Sequence, residues 1–511
     1  APIAFLPAYE ESPRMKKVLL FVIDALADLD VRRKLSNAEL PNLAELIRDR
    51  GQLSVCTSIF PSITPAATCS IVTGHYPSQH GIQGAYWFDR ECEECAYFGD
   101  DLRLISSEGF ENYLVDFGER LNAERLRSPT LFEFCAEHRI TSGCINFMWY
   151  KGTTRHQRRT PWLLRMITGQ LNSDVLGPEV FKLGDFVEAW PPGMQMPSLS
   201  GGLLHKFGFT DQATMGAVAA MLEQDCLPEF TLAYLPGNDD LAHDIGPRKA
   251  ADEVLASFDK FLGDLADTVG GWETLRQKYV ILIVGDHAQS FLRDDPSERE
   301  INPAELLEGF SLGTAGSENA DADLFVCANM RSAAIYQFGN SRRTQREIIA
   351  MLLQDPRIDQ VIWQDPQSPA DKSHVMTEQG ELSFWRTPTQ GSRSVSDNFG
   401  NHWLYDGQLK TLDLKVEEGR LVDGQYPNAF ERIASAFISN EAKPLWATAK
   451  EGYEFSTSAA HVSARGSHGT LSAADSNSCL ISSEPFPGRS GPLRIVDVFG
   501  ICASWLVPRN D

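Results

Sequence analysis

The stretch KKVLLFVIDA, residues 16–25, is an apolar run that stops at an acid. Its length and its β-branched and aromatic content predict a strand. Similar runs follow at 52–60 (QLSVCTSIF), 141–150 (TSGCINFMWY), 230–237 (FTLAYLPG), 279–286 (YVILIVGD) and 324–338 (LFVCANMRSAAIYQF). Helical patterns fall between and around them, at 38–50, 65–73, 129–138, 213–224, 247–268, 342–354 and 492–506. Short strands alternating with helices predict an α/β fold, with a mainly parallel central sheet flanked by helices. Segments 86–128, 154–212 and 364–460 are rich in turn residues and are expected as inserted cap segments over the active site. That leaves 14–85, 129–153, 213–363 and 461–511 as the core.

Composition narrows the function. The 511 residues are 42% apolar, enough for a sizeable core, and no run of 18 apolar residues exists to span a membrane. A formal net charge of −23 argues against a nucleic-acid polymer or an anionic membrane as partner, since both select clustered Lys and Arg. Neither a repeat nor a low-complexity tract is found. The start, APIAFLPAYEESPR, lacks a basic segment followed by an apolar one, so a cytoplasmic protein is expected, with an exported form that has lost its signal as the alternative. The ten cysteines lie mostly alone in apolar segments, as reduced buried thiols do. A single C-x-x-C, Cys92 to Cys95, has no second pair to complete a structural zinc site.

In a parallel sheet, ligands gather beyond the carboxyl ends of the strands. Asp24 ends the first run, Asp239 and His243 follow the run at 230–237, Asp286 and His287 close the run at 279–286, and His468 sits in the turn RGSHGT. Singly, each is a common cap or a hydrogen-bonded core residue. Together, three carboxylates and three imidazoles suit Zn²⁺ or a similar borderline cation.

Near these strand ends lies FPSITPAATCSIVTGHYPSQHGI, residues 60–82. Thr64 before Pro65 reads as a helix N-cap. A hydroxyl at a helix N-terminus also faces free N–H groups and the positive end of the dipole, a setting that stabilises an alkoxide or a phosphate. A bound metal would lower the hydroxyl's pKa further. Thr64 is therefore expected to act as a nucleophile while also capping its helix.

With these pieces in order, joined by SPTLFEFCAEHRITSGCINFMWY, LAYLPGNDDLAHDIGP, VILIVGDHAQS, RGSHGTLSAADSNSCLISSEPF and RIVDVFGICASWLV, the chain resembles the alkaline phosphatase superfamily. The branch it resembles is the type I phosphodiesterase/nucleotide pyrophosphatase family. The resemblance implies an alkaline-phosphatase-like fold and two Zn²⁺ ions, with Mn²⁺ or another divalent metal as substitute. It implies that Asp24, Thr64, Asp286 and His287 bind one ion and that Asp239, His243 and His468 bind the other. Thr64 would form a covalent phospho-threonine that water then hydrolyses. Sulfatases of the superfamily use a modified Cys instead, and Cys69 does not stand at that position.

One departure stands out. The family usually reads His-Gly-Ile-x-x-Asn after the nucleophile helix, and here HGIQGA places Ala85 where the Asn would contact a phosphoryl oxygen. An uncompensated loss of one such contact costs on the order of 10²-fold in rate. Lys151 and Arg155 are candidate replacements, resembling phosphate-contacting basic residues of some relatives, with a solvated basic loop as the alternative, and Gln83 and Tyr86 are weaker candidates. Trp87, Phe88, Trp149 and Tyr150 would stack on a base, cover a lipid or pack. The expected substrate is a small phosphoric ester, hydrolysed by a phosphodiesterase or nucleotide pyrophosphatase activity. Alternatives are C–P hydrolysis of a small phosphonate, a phosphomonoesterase with the same site, and a binding protein that retains the metal site without turnover.

Overall fold

A computed structural model describes residues 16–89, 94–98, 116–160, 172–195, 197, 199, 201–313, 322–338, 343–365, 371–388, 391, 394–438, 443–456, 462–489 and 491–507. Cys92 lies outside the described residues, and with it the Cys92–Cys95 pair. Among those described, Cys56, Cys69, Cys135, Cys144, Cys479 and Cys502 are buried free thiols.

The central sheet has nine strands among the described residues: β1 Lys17–Ile23, β2 Gln52–Thr57, β3 Ser142–Ile145, β4 Val180–Leu183, β5 Val187–Ala189, β6 Phe230–Leu235, β7 Tyr279–Val284, β8 Asn477–Ser482 and β9 Leu493–Arg494. Their spatial order is β9-β2-β8-β7-β1-β6-β3-β4-β5. The run β7-β1-β6-β3-β4 is parallel throughout, while β8 runs antiparallel to both its neighbours and β5 closes an edge antiparallel to β4.

The reason for this arrangement lies in β1. Val18, Leu20 and Val22 point into one apolar layer, and Leu19, Phe21 and Ile23 into the other. A strand with no polar face must be covered on both sides, as helical crossovers between parallel strands do. One layer holds α1, Thr64–Thr73, and α5, Asp497–Leu506. The opposite layer holds α2, Asp211–Glu223, and α4, Pro247–Thr268. There the Phe21 ring meets Phe258 and Phe261 edge-on, at 5.3 and 5.8 Å between centroids. Helix α1 ends at Gly74 in the left-handed conformation (φ 69°), where a Cβ would stand 2.8 Å from Phe499 Cβ of α5. Only glycine meets both demands without strain.

The second half of the chain departs from the expected pattern. An eleven-stranded, mostly antiparallel sheet runs from Leu312 to Ala449 among the described residues. The run at 324–338, read as a further strand of the parallel sheet, is a hairpin of this second sheet. Segment 364–460, read as irregular, contributes several of its strands, and a boundary at 363/364 cuts through the strand Ile358–Gln364. Short antiparallel strands joined by Asp, Gly and Asn turns carry a weaker local signal than the apolar runs of a parallel sheet. The second sheet packs directly on the loops that follow β2 and precede β8, since Phe60 and Leu471 belong to its apolar layer. Buried Arg432 adds hydrogen bonds to the carbonyls of Ile59, Thr470 and Leu471 and to Ser476 Oγ.

Candidate active site

Three parallel strands end side by side and deliver three acids. Asp24 follows β1, Asp239 lies in helix α3, Gly237–Ile245, directly after β6, and Asp286 with His287 follows β7. The loop before β8 brings His468 to the same edge, because β8 is antiparallel and its amino end lies where the others finish. The chain turns sharply at Ala25, in the left-handed region at φ 56°, a conformation costly for a residue with a Cβ. Two contacts hold it there. The Ala25 amide donates to Asp286 Oδ1 at 3.1 Å, and Asn238 Nδ2 donates to the carbonyls of Asp24 and Ala25 at 3.0 and 2.9 Å.

Thr64 Oγ lies 2.9 Å from His287 Nε2 and 3.3 Å from Asp24 Oδ1. His287 Nε2 is in turn 3.3 Å from Asp24 Oδ1 and 3.4 Å from Asp286 Oδ2. Beside this group, Asp239 is 3.3 Å from His243 Nε2 and 3.6 Å from His468 Nε2. The His287 and His468 rings stack at 3.8 Å. All seven residues expected at strand ends and turns thus converge. Thr64 does not cap its helix, however: Ile63 occupies the N-cap position and no side chain supplies a cap bond. The Thr64 hydroxyl is turned toward Asp24 and His287 instead. Behind it, Trp149 Nε1 donates to the Pro65 carbonyl at 2.9 Å, which anchors the first turn.

The three imidazoles share one arrangement. Nδ1 donates to a backbone carbonyl in each: His243 to Gly466 at 2.8 Å, His287 to Ala288 at 3.1 Å and His468 to Ser62 at 2.7 Å. A carbonyl only accepts, so the proton sits on Nδ1 and every Nε2 faces the cluster, the orientation of metal-ligating histidines.

The electrostatics point the same way. Burial, reinforced by Asp286 and Asp239, raises the Asp24 carboxyl well above the carboxylate range, and burial raises Asp286 to about 7. Burial opposes ionisation of Asp239 as well, but His243, His468 and His287 hold it below its ordinary value. Burial disfavours the charge on His243 and His287, yet Asp239 raises the former to about 10 and Asp24 raises the latter. Burial and the adjacent His287 keep His468 well below its usual range. Without cations the cluster relies on shared protons. Asp286 Oδ2 and His468 Nε2 are buried with no hydrogen-bond partner, an expensive condition for polar atoms. Divalent cations would satisfy both atoms and offset the carboxylate charge, so the residues present fit them. An oxygen and imidazole donor set suits Zn²⁺ or Mn²⁺.

The remaining candidates fall elsewhere. Arg155 lies on an exposed strand and pairs with Asp174 at 2.8 Å, and Lys151 Nζ donates to the Leu126 carbonyl at 3.4 Å. Among the described residues, neither makes a hydrogen bond or ion pair with the cluster. Asn329 does not replace the missing Asn: its amide accepts from the N–H groups of Ala85 and Tyr86 and donates to the carbonyls of Tyr86 and Cys327, so it holds the loop. Gln83 is buried. Tyr86 packs against Tyr97 and Phe325, Phe88 against Phe325 and Tyr336, and Tyr150 against Phe181, while Trp87 and Trp149 are core residues.

Sequence reasoning missed three participants. Tyr234, at the end of β6, donates its hydroxyl to Asp24 Oδ2. Asn238 braces the Ala25 turn, and Gln289 reaches Asp239. Their signal was position alone, one to five residues from a named ligand. A fourth feature lies beneath the site. Arg331 and Asp475, 1% and 0% exposed, pair at 2.5 Å, and Asp475 also accepts from Ser290 Oγ and from the amide and hydroxyl of Thr470. This pair ties together the loops that carry His287 and His468. Removing one member of a buried pair strands the other charge, so Asp475→Ala is expected to destabilise the protein by about 3–5 kcal/mol. A urea unfolding midpoint equal to that of the unmodified protein would contradict this.

The model of a family described as type I phosphodiesterase / nucleotide pyrophosphatase matches residues 18–471. No curated protein matches the chain. Among solved structures, the fold is similar to phosphonoacetate hydrolase from Sinorhizobium meliloti 1021 in complex with phosphonoformate, at 14% identity and a TM-score of 0.55, covering 97% of this chain and 96% of that one. The same protein in complex with phosphonoacetate gives 14% identity and a TM-score of 0.54 over the same shares. At that identity the likeness concerns the fold alone.

Proposed function

The chain belongs to the type I phosphodiesterase / nucleotide pyrophosphatase family, and from that premise we propose that it is a two-metal hydrolase of phosphoric diesters acting through a phospho-threonine at Thr64. The observation that supports this most directly is the Thr64 hydroxyl, held within 3.3 Å of both Asp24 and His287 at the amino end of a buried helix. Asp24, Thr64, Asp286 and His287 would hold one cation, and Asp239, His243 and His468 the other. When bound, the cations supply Lewis acidity and neutralise the charge on the transferring phosphoryl group.

The chain's own residues do the rest. Thr64 Oγ attacks phosphorus as its proton passes toward Asp24 Oδ1, the bond from phosphorus to the leaving oxygen breaks, and that oxygen takes up the proton as the alcohol departs. Water then attacks the phospho-threonine, releases a monoester and returns a proton to Oγ. Tyr234 holds the far oxygen of Asp24, so Oδ1 stays directed at Thr64. The Nδ1-to-carbonyl bonds keep the three imidazoles from rotating. The partner is a small phosphorylated molecule, and no described helix is long and apolar enough to cross a membrane.

The test is a panel of bis(p-nitrophenyl) phosphate, p-nitrophenyl phosphate, a nucleotide and phosphonoacetate, each with added Zn²⁺ or Mn²⁺. The aryl diester is expected to exceed the aryl monoester in kcat/KM by about tenfold or more, a difference of about 1.4 kcal/mol in transition-state stabilisation. Turnover of phosphonoacetate alone would replace this reading with C–P hydrolysis.

A further inference from the structure

Gln289 follows the Asp286–His287 pair by two residues and is 7% exposed. Its carboxamide enters the second half of the cluster. Nε2 donates to Asp239 Oδ1 in a close contact, and it stands 3.4 Å from the Asp239 carbonyl and 3.4 Å from His243 Nε2. His243 Nε2 faces the same point, because Nδ1 of the same ring donates to Gly466. The amide nitrogen thus sits where Asp239 Oδ1 and His243 Nε2 meet, beside His468. The ligand atoms of those three residues all lie within 4.8 Å of one another.

The other end of the amide is poorly placed. Oε1 is buried and has no hydrogen-bond partner. A Cβ on Gly466 would lie 2.4 Å from Oε1 and 2.5 Å from the Ala242 carbonyl oxygen, so two acceptors share the space that glycine leaves open. The two ends of a carboxamide are close to isosteric, and a half-turn about Cγ–Cδ exchanges them without moving another atom. The turned amide would offer Oε1 to the shared centre of Asp239, His243 and His468, and an N–H to the region of the Ala242 carbonyl.

We propose that Gln289 is a fourth, neutral ligand of the divalent cation held by Asp239, His243 and His468. In the metal-free protein Nε2 takes the cation's place as partner of Asp239, and binding turns the amide. This rests on the two-metal reading and adds to it a residue outside the implied ligand set. An amide oxygen raises the number of donors without adding charge, which leaves this half of the cluster with one carboxylate, while the other half has two.

The test compares the unmodified protein with Gln289→Met, of similar length but without the amide, and Gln289→Glu, which keeps an oxygen and adds a charge. Zn²⁺ binding to the metal-free proteins is measured against a competing chelator, and the visible absorption of the Co²⁺-loaded proteins reports coordination number. The unmodified protein is expected to bind two equivalents. Gln289→Met is expected to keep one at unchanged affinity and to weaken the other about 10- to 100-fold, with an altered Co²⁺ band. Gln289→Glu is expected to bind that cation more tightly. Two equivalents at unmodified affinity in both variants would overturn the assignment. So would weaker binding with an unchanged Co²⁺ band, which would make the amide a partner of Asp239 only. Fewer than two equivalents in the unmodified protein would instead defeat the two-metal reading, and that outcome is seen before any variant is made.

Discussion

Thr64→Ala is expected to lower turnover by about three orders of magnitude or more and to leave the fold and metal binding in place. The hydroxyl of Thr64 lies within hydrogen-bonding distance of both Asp24 and His287. Its loss removes the covalent route while the acids and imidazoles around it remain. Stability should change little, because Thr64 Oγ supplies no cap to the helix and the residue is only partly buried. Thr64→Ser should retain part of the activity: the hydroxyl remains, but the methyl that restricts its rotamers is gone. Melting temperature and kcat measured on one Ala preparation decide the matter. An unchanged kcat per folded molecule would leave Thr64 without a chemical role.

Removing the metals should abolish turnover and reverse the way stability responds to pH. In the metal-free fold Asp286 titrates near 7 and Asp24 is raised as well, chiefly through burial. A carboxyl with a raised folded value binds a proton that the unfolded chain has already lost, so its contribution to stability falls as pH rises between the two values. Despite burial, Asp239 raises His243 to about 10 and Asp24 raises His287, and their contribution also declines upward from the unfolded imidazole value. His468, lowered by burial and by His287, acts in the opposite sense, and Asp239, held low by the imidazoles despite burial, is ionised in both states between pH 5 and 8 and adds nothing there. Each net proton is worth about 1.4 kcal/mol per pH unit. The metal-free protein is therefore expected to melt at a lower temperature at pH 8 than at pH 5. The metal-loaded protein should not show this loss, because its ligands must be deprotonated to bind. Equal melting temperatures for the metal-free protein at the two pH values would refute the buried shared-proton description.

Local information goes a long way in this chain. The run Val18–Ile23 has no polar face, so any fold must bury it on two sides, and the acid that follows must emerge at its carboxyl end. The same reasoning held for the runs ending near Asp239 and Asp286, and the parallel pairing of the three strands brings their acids to one edge. What sequence could not reveal depends on partners far along the chain. The direction of the Thr64 hydroxyl depends on Asp24 and His287, 40 and 223 residues away, and a Thr-Pro pair reads as a cap until they are in place. Arg155 resembled a phosphate contact in the linear order, but hairpin pairing sets it opposite Leu176, from where it pairs with the neighbouring Asp174. The outer strands of the second sheet were hidden because they are half-exposed, so their pattern resembles that of loops.

The candidate acids and imidazoles that meet at one sheet edge could thus be named from sequence alone, because strand ends and turns are local features. Their distances, the Nδ1-to-carbonyl bonds that aim each imidazole, and the places of Tyr234, Asn238 and Gln289 were decided only by tertiary structure. Those depend on which strands lie side by side and on how two sheets close over one edge, and apolar periodicity along a single strand does not encode either.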